Sequence, residues 1–114
     1  MDIYDSGAMP EREVSEYASS GAHWLPIARN AGECHVGRMR VEPGGVIGMH
    51  PTRSDQMFFV IDGRGWTRID GGPRSDVAAG HAVLLRAGEH HESGTDTGMT
   101  AIIVQAEQLA IDLH

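Results

Sequence analysis

Short apolar runs separated by turn-forming residues make up most of the chain after about residue 24. The separators are rich in glycine, proline and aspartate, as in Glu42-Pro43-Gly44-Gly45, and such clusters mark turns between strands. Short strands joined by turns, with few helical segments between them, are typical of sandwiches and barrels. The pattern therefore predicts an all-β domain with strands at about residues 24–28, 35–41, 46–50, 56–61, 66–70, 82–86 and 99–106.

One segment near the start has a helical spacing instead. Val14, Tyr17 and Ala18 fall at positions i, i+3 and i+4, and Pro10 suits a first helical turn. We predict a short helix there, within an N-terminal extension of residues 1–25. The barrel is then expected over residues 26–114, with the extension acting as a lid or as a dimer arm.

One predicted strand carries apolar side chains on both of its faces. The two alternating sets are Phe58 and Val60 on one face, and Met57, Phe59 and Ile61 on the other. The inner face of a small barrel packs on the core, so another element must cover the outer face. A second subunit or the N-terminal segment would do so, and we predict a homodimer. Alternatively, this outer face binds a different protein.

Composition and charge restrict the class of protein. The chain has 114 residues, of which 40% are hydrophobic and 22% charged, as in one ordinary globular domain. Nine Lys and Arg stand against 16 Asp and Glu, and the resulting net charge of −7 makes nucleic acid and anionic membranes poor partners. The single cysteine, Cys34, allows no intrachain disulfide, and the chain starts without the features of a secretion signal. We therefore expect a cytoplasmic protein that binds neither nucleic acid nor membranes.

Histidines are the main candidates for chemistry. His50 precedes a turn, Gln56 follows it, and His91 lies about 40 residues further on. Side chains alternate along a strand, so Gln56 shares a face with Phe58, and the turn can bring His50 beside them. Adjacent His90 and His91 must point to opposite faces of a strand. Whether His91 meets His50 depends on strand pairing, which the pattern alone leaves open.

His35 is a further candidate. It alternates in phase with Met39 and Val41, whereas Arg38 and Arg40 fall on the opposite face of the same predicted strand. We therefore expect His35 to face inward, as a reserve metal ligand or as a general base.

The segment from residue 44 to residue 63 resembles the first motif of the cupin superfamily, G(X)5HXH(X)3,4E(X)6G. Gly44, His50 and Gly63 keep the spacing of that motif. Thr52 stands where the motif has its second His, and Gln56 where it has Glu.

From residue 80 onward the chain resembles the second cupin motif, G(X)5PXG(X)2H(X)3N. Gly80, Gly88 and His91 keep its spacing, while Arg86 and Thr95 replace the Pro and the Asn. The resemblance implies a double-stranded β-helix, or jelly-roll barrel, in which both motifs meet at one interior site. His91 is thereby the inward member of its pair, and Thr52, Phe58 and Trp66 are expected to line the pocket.

The resemblance also implies a metal, since typical cupins hold Fe, Mn, Ni or Zn with three His and one Glu. Here the set reduces to His50, Gln56 and His91, and the neutral amide of Gln56 is a weaker donor than a carboxylate. Two functions follow. One is a metal-dependent enzyme of the dioxygenase, isomerase or cyclase type that acts on a small organic molecule through His50, His91 and His35. The other is a metal-free barrel that binds a sugar or a carboxylate, as a sensor or as an epimerase-like acid/base protein.

Overall fold

The computed structural model describes residues 4–29, 32 and 34–110. Eight strands and two 3-10 turns, Ser6–Ala8 and Glu16–Ala18, make up its secondary structure. The strands are β1 (Arg12–Glu13), β2 (Ser20–Arg29), β3 (His35–Pro51), β4 (Asp55–Ile69), β5 (Ser75–Ala78), β6 (Ala82–Leu85), β7 (His90–Gly94) and β8 (Met99–Ala106). This confirms the all-β prediction.

The barrel has two faces of paired strands, and the long strands β3 and β4 each contribute to both faces. The first halves of β3 and β4 flank β8, with β2 and β6 at their outer sides. The second halves flank β7, with β5 beside β4. All pairs are antiparallel. The arrangement is the jelly roll expected for a double-stranded β-helix.

The strand bounds differ from the predicted ones because the sheets continue through two predicted turns. Residues 42–45 lie within β3, where Gly44 has a left-handed φ of 79°. Residues 62–65 lie within β4, where Gly63 has a φ of 75°. Glycine has no Cβ, so it bends each strand at little cost while the chain passes from one sheet to the other. Strands β5 and β7 were not predicted, because they are short and polar.

The core lies between the sheets and follows the alternation of β4. Phe58 is 5% exposed and Val60 is fully buried. Their cross-strand partners on β8, Ile103 and Ala101, are also buried. Directly opposed residues in adjacent strands share a face, so these pairs form successive apolar layers inside the barrel.

The helix predicted near Val14 and Tyr17 is wrong. Val14 is 6% exposed and packs in the core, and its N–H donates to the carbonyl of Ala22 on β2. Tyr17 and Ala18 have φ values of 60° and 57°, which no right-handed helix accommodates. The apolar residues at helical spacing therefore belong to a segment that Val14 attaches to the barrel and that continues into a tight turn.

Candidate functional site

A cavity of about 700 Å³ opens into the barrel. Its floor is apolar and includes Ile47, Phe58 and Ile103, all buried. Its polar lining includes both motif histidines, and exposed side chains such as Arg53 surround the opening. The volume lies in the range of pockets that hold small organic molecules.

A β-bulge directs His50 into this cavity. Ile47 pairs with Ser93, and His50 pairs with His91. Between these two pairs the chain advances by three residues along β3 but by only two along β7. The extra residue reverses the side-chain alternation. Both Ile47 and His50 therefore line the cavity, although regular alternation would place them on opposite faces.

His91 lies directly opposite His50, on β7. Its side chain is 4% exposed, whereas that of its neighbour His90 is 57% exposed. The two residues thus point to opposite faces, as the sequence predicted. The ring centroids of His50 and His91 are 4.5 Å apart, and the rings are tilted by 55°. The structure therefore brings the two motif histidines together.

A backbone carbonyl faces the Nδ1 of each ring. The His50 Nδ1 lies 2.7 Å from the Gly48 oxygen, and the His91 Nδ1 lies 3.4 Å from the Glu89 oxygen. A carbonyl only accepts hydrogen bonds, so these contacts favour the neutral tautomer with its proton on Nδ1, more strongly in His50, where the distance is shorter. In that tautomer both Nε2 atoms are acceptors.

His91 is neutral at physiological pH. Burial lowers the pKa of its imidazole to about 4, and repulsion from His50 adds to this shift. The site therefore presents a neutral acceptor at His91 where an exposed histidine would be partly charged.

This shift predicts an acid-sensitive fold in the metal-free protein. Between the unfolded pKa of about 6.5 and the folded pKa of about 4, the unfolded chain binds a proton that folded His91 does not. Stability is therefore lost as the pH falls through that window, by about 2 kcal/mol between pH 7 and pH 5. Urea unfolding at both pH values, with chelator present, measures this loss.

The matched comparison for this pH effect is His91→Gln against His90→Gln. The first variant should lack most of the loss, and the second should keep it, because His90 is exposed. The carboxylates add little in this window, because the unfolded pKa values of Asp and Glu lie below pH 5. In the folded protein a hydrogen bond from Arg40 lowers the pKa of Glu11 further, and the Ala87 N–H lowers that of Asp55. If the free energy of unfolding changes with pH equally in His91→Gln and in the parent chain, His91 is not the source of the pH effect.

Gln56 and Thr52, which replace two usual metal ligands, both line the cavity. Gln56 is 8% exposed, and its amide has no hydrogen-bond partner among the described residues. Thr52 is 6% exposed, and its hydroxyl donates to the Ser54 carbonyl at 2.7 Å. Thr52 thus closes the turn between β3 and β4, while Gln56 leaves its amide available to a ligand.

The donor set does not fit a tightly held metal ion. Within residues 4–29, 32 and 34–110, no three His, Cys, Asp or Glu side chains are placed so that together they could hold a metal ion. Two neutral imidazoles and one amide would leave the charge of a divalent ion uncompensated. What the site lacks for tight binding of a divalent ion is a negatively charged protein ligand.

The other predicted site residues have separate positions. His35 is exposed but lines the cavity, in one cross-strand row with Gln105 and Gln56. Phe58 forms part of the floor. Trp66 does not line the cavity. Its ring lies against Gly94 on one side and has the Arg74 guanidinium 3.7 Å from its centroid.

Tyr17 is a site residue that the sequence did not reveal. Its ring stacks on His50 with centroids 4.4 Å apart and planes 9° apart. Its spacing with Val14 predicted only a short helix, whereas the structure places Tyr17 at the cavity, where the residue is 57% exposed. Only the turn geometry places it there.

A family model for the cupin domain matches residues 37–105. That stretch covers more than half of the chain and includes both motif histidines. The four motif glycines have the left-handed backbone that favours glycine: Gly44, Gly63, Gly80 and Gly88. The chain belongs to the cupin family.

Solved structures agree with this fold. A predicted oxalate decarboxylase from Thermotoga maritima has a TM-score of 0.81 at 16% identity, over 94% of this chain and 100% of that one. The polyketide cyclase RemF from Streptomyces resistomycificus has a TM-score of 0.77 at 19% identity, over 98% and 89%. KdgF from Halomonas sp. has a TM-score of 0.76 at 14% identity, over 95% and 96%. No curated protein matches the chain. Identities this low show the fold and leave the reaction open.

No helix among the described residues is long and apolar enough to cross a membrane.

Proposed function

We propose that this cupin binds a small organic molecule in its barrel cavity without a resident metal, with His50 and His91 accepting hydrogen bonds from the ligand. The observation that carries the proposal is the histidine pair in the cavity, 4.5 Å between centroids, with both Nδ1 atoms hydrogen-bonded to carbonyls. The two Nε2 acceptors have complementary partners in ligand hydroxyl groups.

The rest of the lining supports a ligand with an apolar body and an oxygen-rich end. Phe58 and Ile103 offer apolar surface at the floor, and the amide of Gln56 offers both a donor and an acceptor. Arg12 is paired with Glu16 at 3.0 Å, so Arg53 is the cation at the opening that can meet a ligand carboxylate. Hydroxy acids with an apolar side chain meet both requirements, and sugars meet the requirement for oxygen atoms.

The same pair allows two roles. As a sensor, the protein would only bind its ligand. As an epimerase-like acid/base protein, it would use a neutral imidazole to take a proton from the bound molecule. Turnover of a bound hydroxy acid or sugar separates these roles.

A thermal-shift screen of sugars, hydroxy acids and aromatic acids, run with chelator present, tests the proposal. Stabilisation by members of these classes is expected, because a ligand that binds only the folded state raises the unfolding temperature. If none of these compounds stabilises the chelated protein, while metal ions stabilise it in a parallel screen without chelator, metal-free binding is rejected.

A second candidate is a metal-dependent enzyme of the dioxygenase, isomerase or cyclase type. One observation favours it: metal-binding histidines commonly donate their second ring N–H to a carbonyl, as His50 and His91 both do. The ion would be Fe, Mn, Ni or Zn, with Gln56 as a third donor. Elemental analysis of untagged protein after incubation with each metal separates this candidate from metal-free binding, because a metal-dependent enzyme requires close to one ion per chain.

We also propose that the chain is a cytoplasmic homodimer formed through the outer face of β4, β6 and β8. Met57 pairs with Leu84 and Val104, and Phe59 pairs with Ala82 and Ile102. These rows face away from the core and are only partly buried. The described N-terminal segment contacts Arg38 and Arg40 instead, through Glu11. A second copy of the chain is therefore the better candidate to cover the apolar rows.

Phe59→Asp is expected to convert this dimer into a monomer, because it places a charge in the centre of the apolar face. Light scattering after gel filtration at micromolar concentration gives the mass. Tyr4→Asp is the matched control, since Tyr4 is 78% exposed and should leave the mass unchanged. A monomeric parent chain would refute the dimer.

A further inference from the structure

We propose that Tyr17 is a positioning residue that holds the His50 imidazole with its Nε2 directed to the cavity. The element that carries it is the N-terminal strap, residues 14–19, which crosses β3 at Gly48. The importance of this position for ligand binding rests on the proposed function, whereas the positioning itself does not.

The stack is the first support. Tyr17 covers one face of the His50 ring, with 4.4 Å between centroids and 9° between planes. His91 contacts the same ring at 4.5 Å and 55°. A ring that is held by two other rings and by an Nδ1 hydrogen bond has little freedom to rotate.

Gly48 is the second support, because three contacts meet there. Its N–H donates to the Ser19 hydroxyl at 3.1 Å, and its carbonyl accepts from the His50 Nδ1 at 2.7 Å. A Cβ at this position would overlap the Tyr17 carbonyl oxygen. The absence of a side chain at residue 48 thus allows the strap to lie directly on the strand that carries His50.

Backbone strain is the third support. Tyr17 and Ala18 are consecutive non-glycine residues with φ near 60°, a conformation that each such residue adopts at a free-energy cost. The flanking contacts maintain it, since Val14 is anchored in the core and the Ser19 N–H donates to the Glu16 carbonyl. The strained turn is what projects the Tyr17 ring over His50.

The test reads the tautomer of His50 without any ligand. In protein labelled with nitrogen-15 at histidine, correlation spectra at pH 8 with chelator report which ring nitrogen carries the proton. His50→Gln assigns the signal, and a nitrogen-15-labelled histidine peptide in the same buffer is the reference for a ring without fixed contacts. We expect His50 to be protonated at Nδ1 in the parent chain. In Tyr17→Ala, the ratio of His50 rings held against Tyr17 to released rings should fall by roughly 2- to 10-fold, so that the His50 signal moves toward that of the reference peptide.

Tyr17→Phe keeps the ring and should keep the parent signal, whereas Tyr17→Leu should behave like Tyr17→Ala. Tyr4→Ala is the control for loss of an exposed tyrosine. Because Tyr17 is 57% exposed, folded variants are expected, and near-UV circular dichroism checks this. A parent-like His50 signal in both Tyr17→Ala and Tyr17→Leu would overturn the proposal, and so would a released signal in Tyr17→Phe. Failure of ligand binding alone would affect only the proposed function.

Discussion

Replacing both His50 and His91 by glutamine is expected to weaken ligand binding by roughly 10- to 100-fold while the chain stays folded. Each imidazole supplies one acceptor to the ligand, and a hydrogen bond contributes about 0.5–1.5 kcal/mol. The fold should tolerate the change because the apolar layers around Val60 and Ile103 are untouched. Calorimetric titration with the best ligand from the screen measures the affinity, and thermal unfolding measures the fold.

The control for the double variant is His90→Gln, which alters the exposed neighbour of His91 and should bind as the parent chain does. Two results would count against the account. Unchanged affinity would place the ligand elsewhere, and collapse of both single variants, His50→Gln and His91→Gln, would make the pair structural.

Gly48→Ala is expected to detach the N-terminal strap and destabilise the protein by about 1–3 kcal/mol, as overpacking does at a close contact. The added Cβ would overlap the Tyr17 carbonyl oxygen. The φ of Gly48 is not in the left-handed region, so alanine suits the strand itself. The effect therefore reports the contact with the strap. Urea unfolding measures the loss.

Gly72→Ala is the matched control for this substitution. It lies in the turn between β4 and β5, where an added Cβ would meet only the Ile69 oxygen, at 3.1 Å. Its stability should change by less than that of Gly48→Ala. Equal stability of the two variants, or a parent-like stability of Gly48→Ala, would mean that the strap does not rest on Gly48.

The all-β class was accessible from the pattern of strands and turns, whereas the jelly roll and the meeting of His50 with His91 were accessible only through the resemblance to the two cupin motifs. His50 and His91 lie at fixed distances from glycines that bend the chain, and Gly44 and Gly80 do have left-handed backbones. Alternation requires only that His90 and His91 point to opposite faces, and the motif position selects His91 as the inward one. These features need only local geometry and the motif.

The remaining features depend on contacts that spacing does not record. Alternation from Ile47 places His50 on the wrong face, because the bulge between them leaves no signature in residue type. The helical spacing of Val14 and Tyr17 concealed a turn with left-handed residues. Trp66 has the size and strand position of a pocket residue, yet it packs on Gly94 beside Arg74.

A crystal structure of the untagged, chelator-treated protein with the best ligand from the screen would show whether the barrel cavity binds that ligand without a metal. We expect one ligand in the cavity, with its polar atoms about 2.7–3.2 Å from the Nε2 atoms of His50 and His91 and no metal between them. A ligand bound outside the cavity, or a metal ion bridging the two imidazoles, would contradict this expectation.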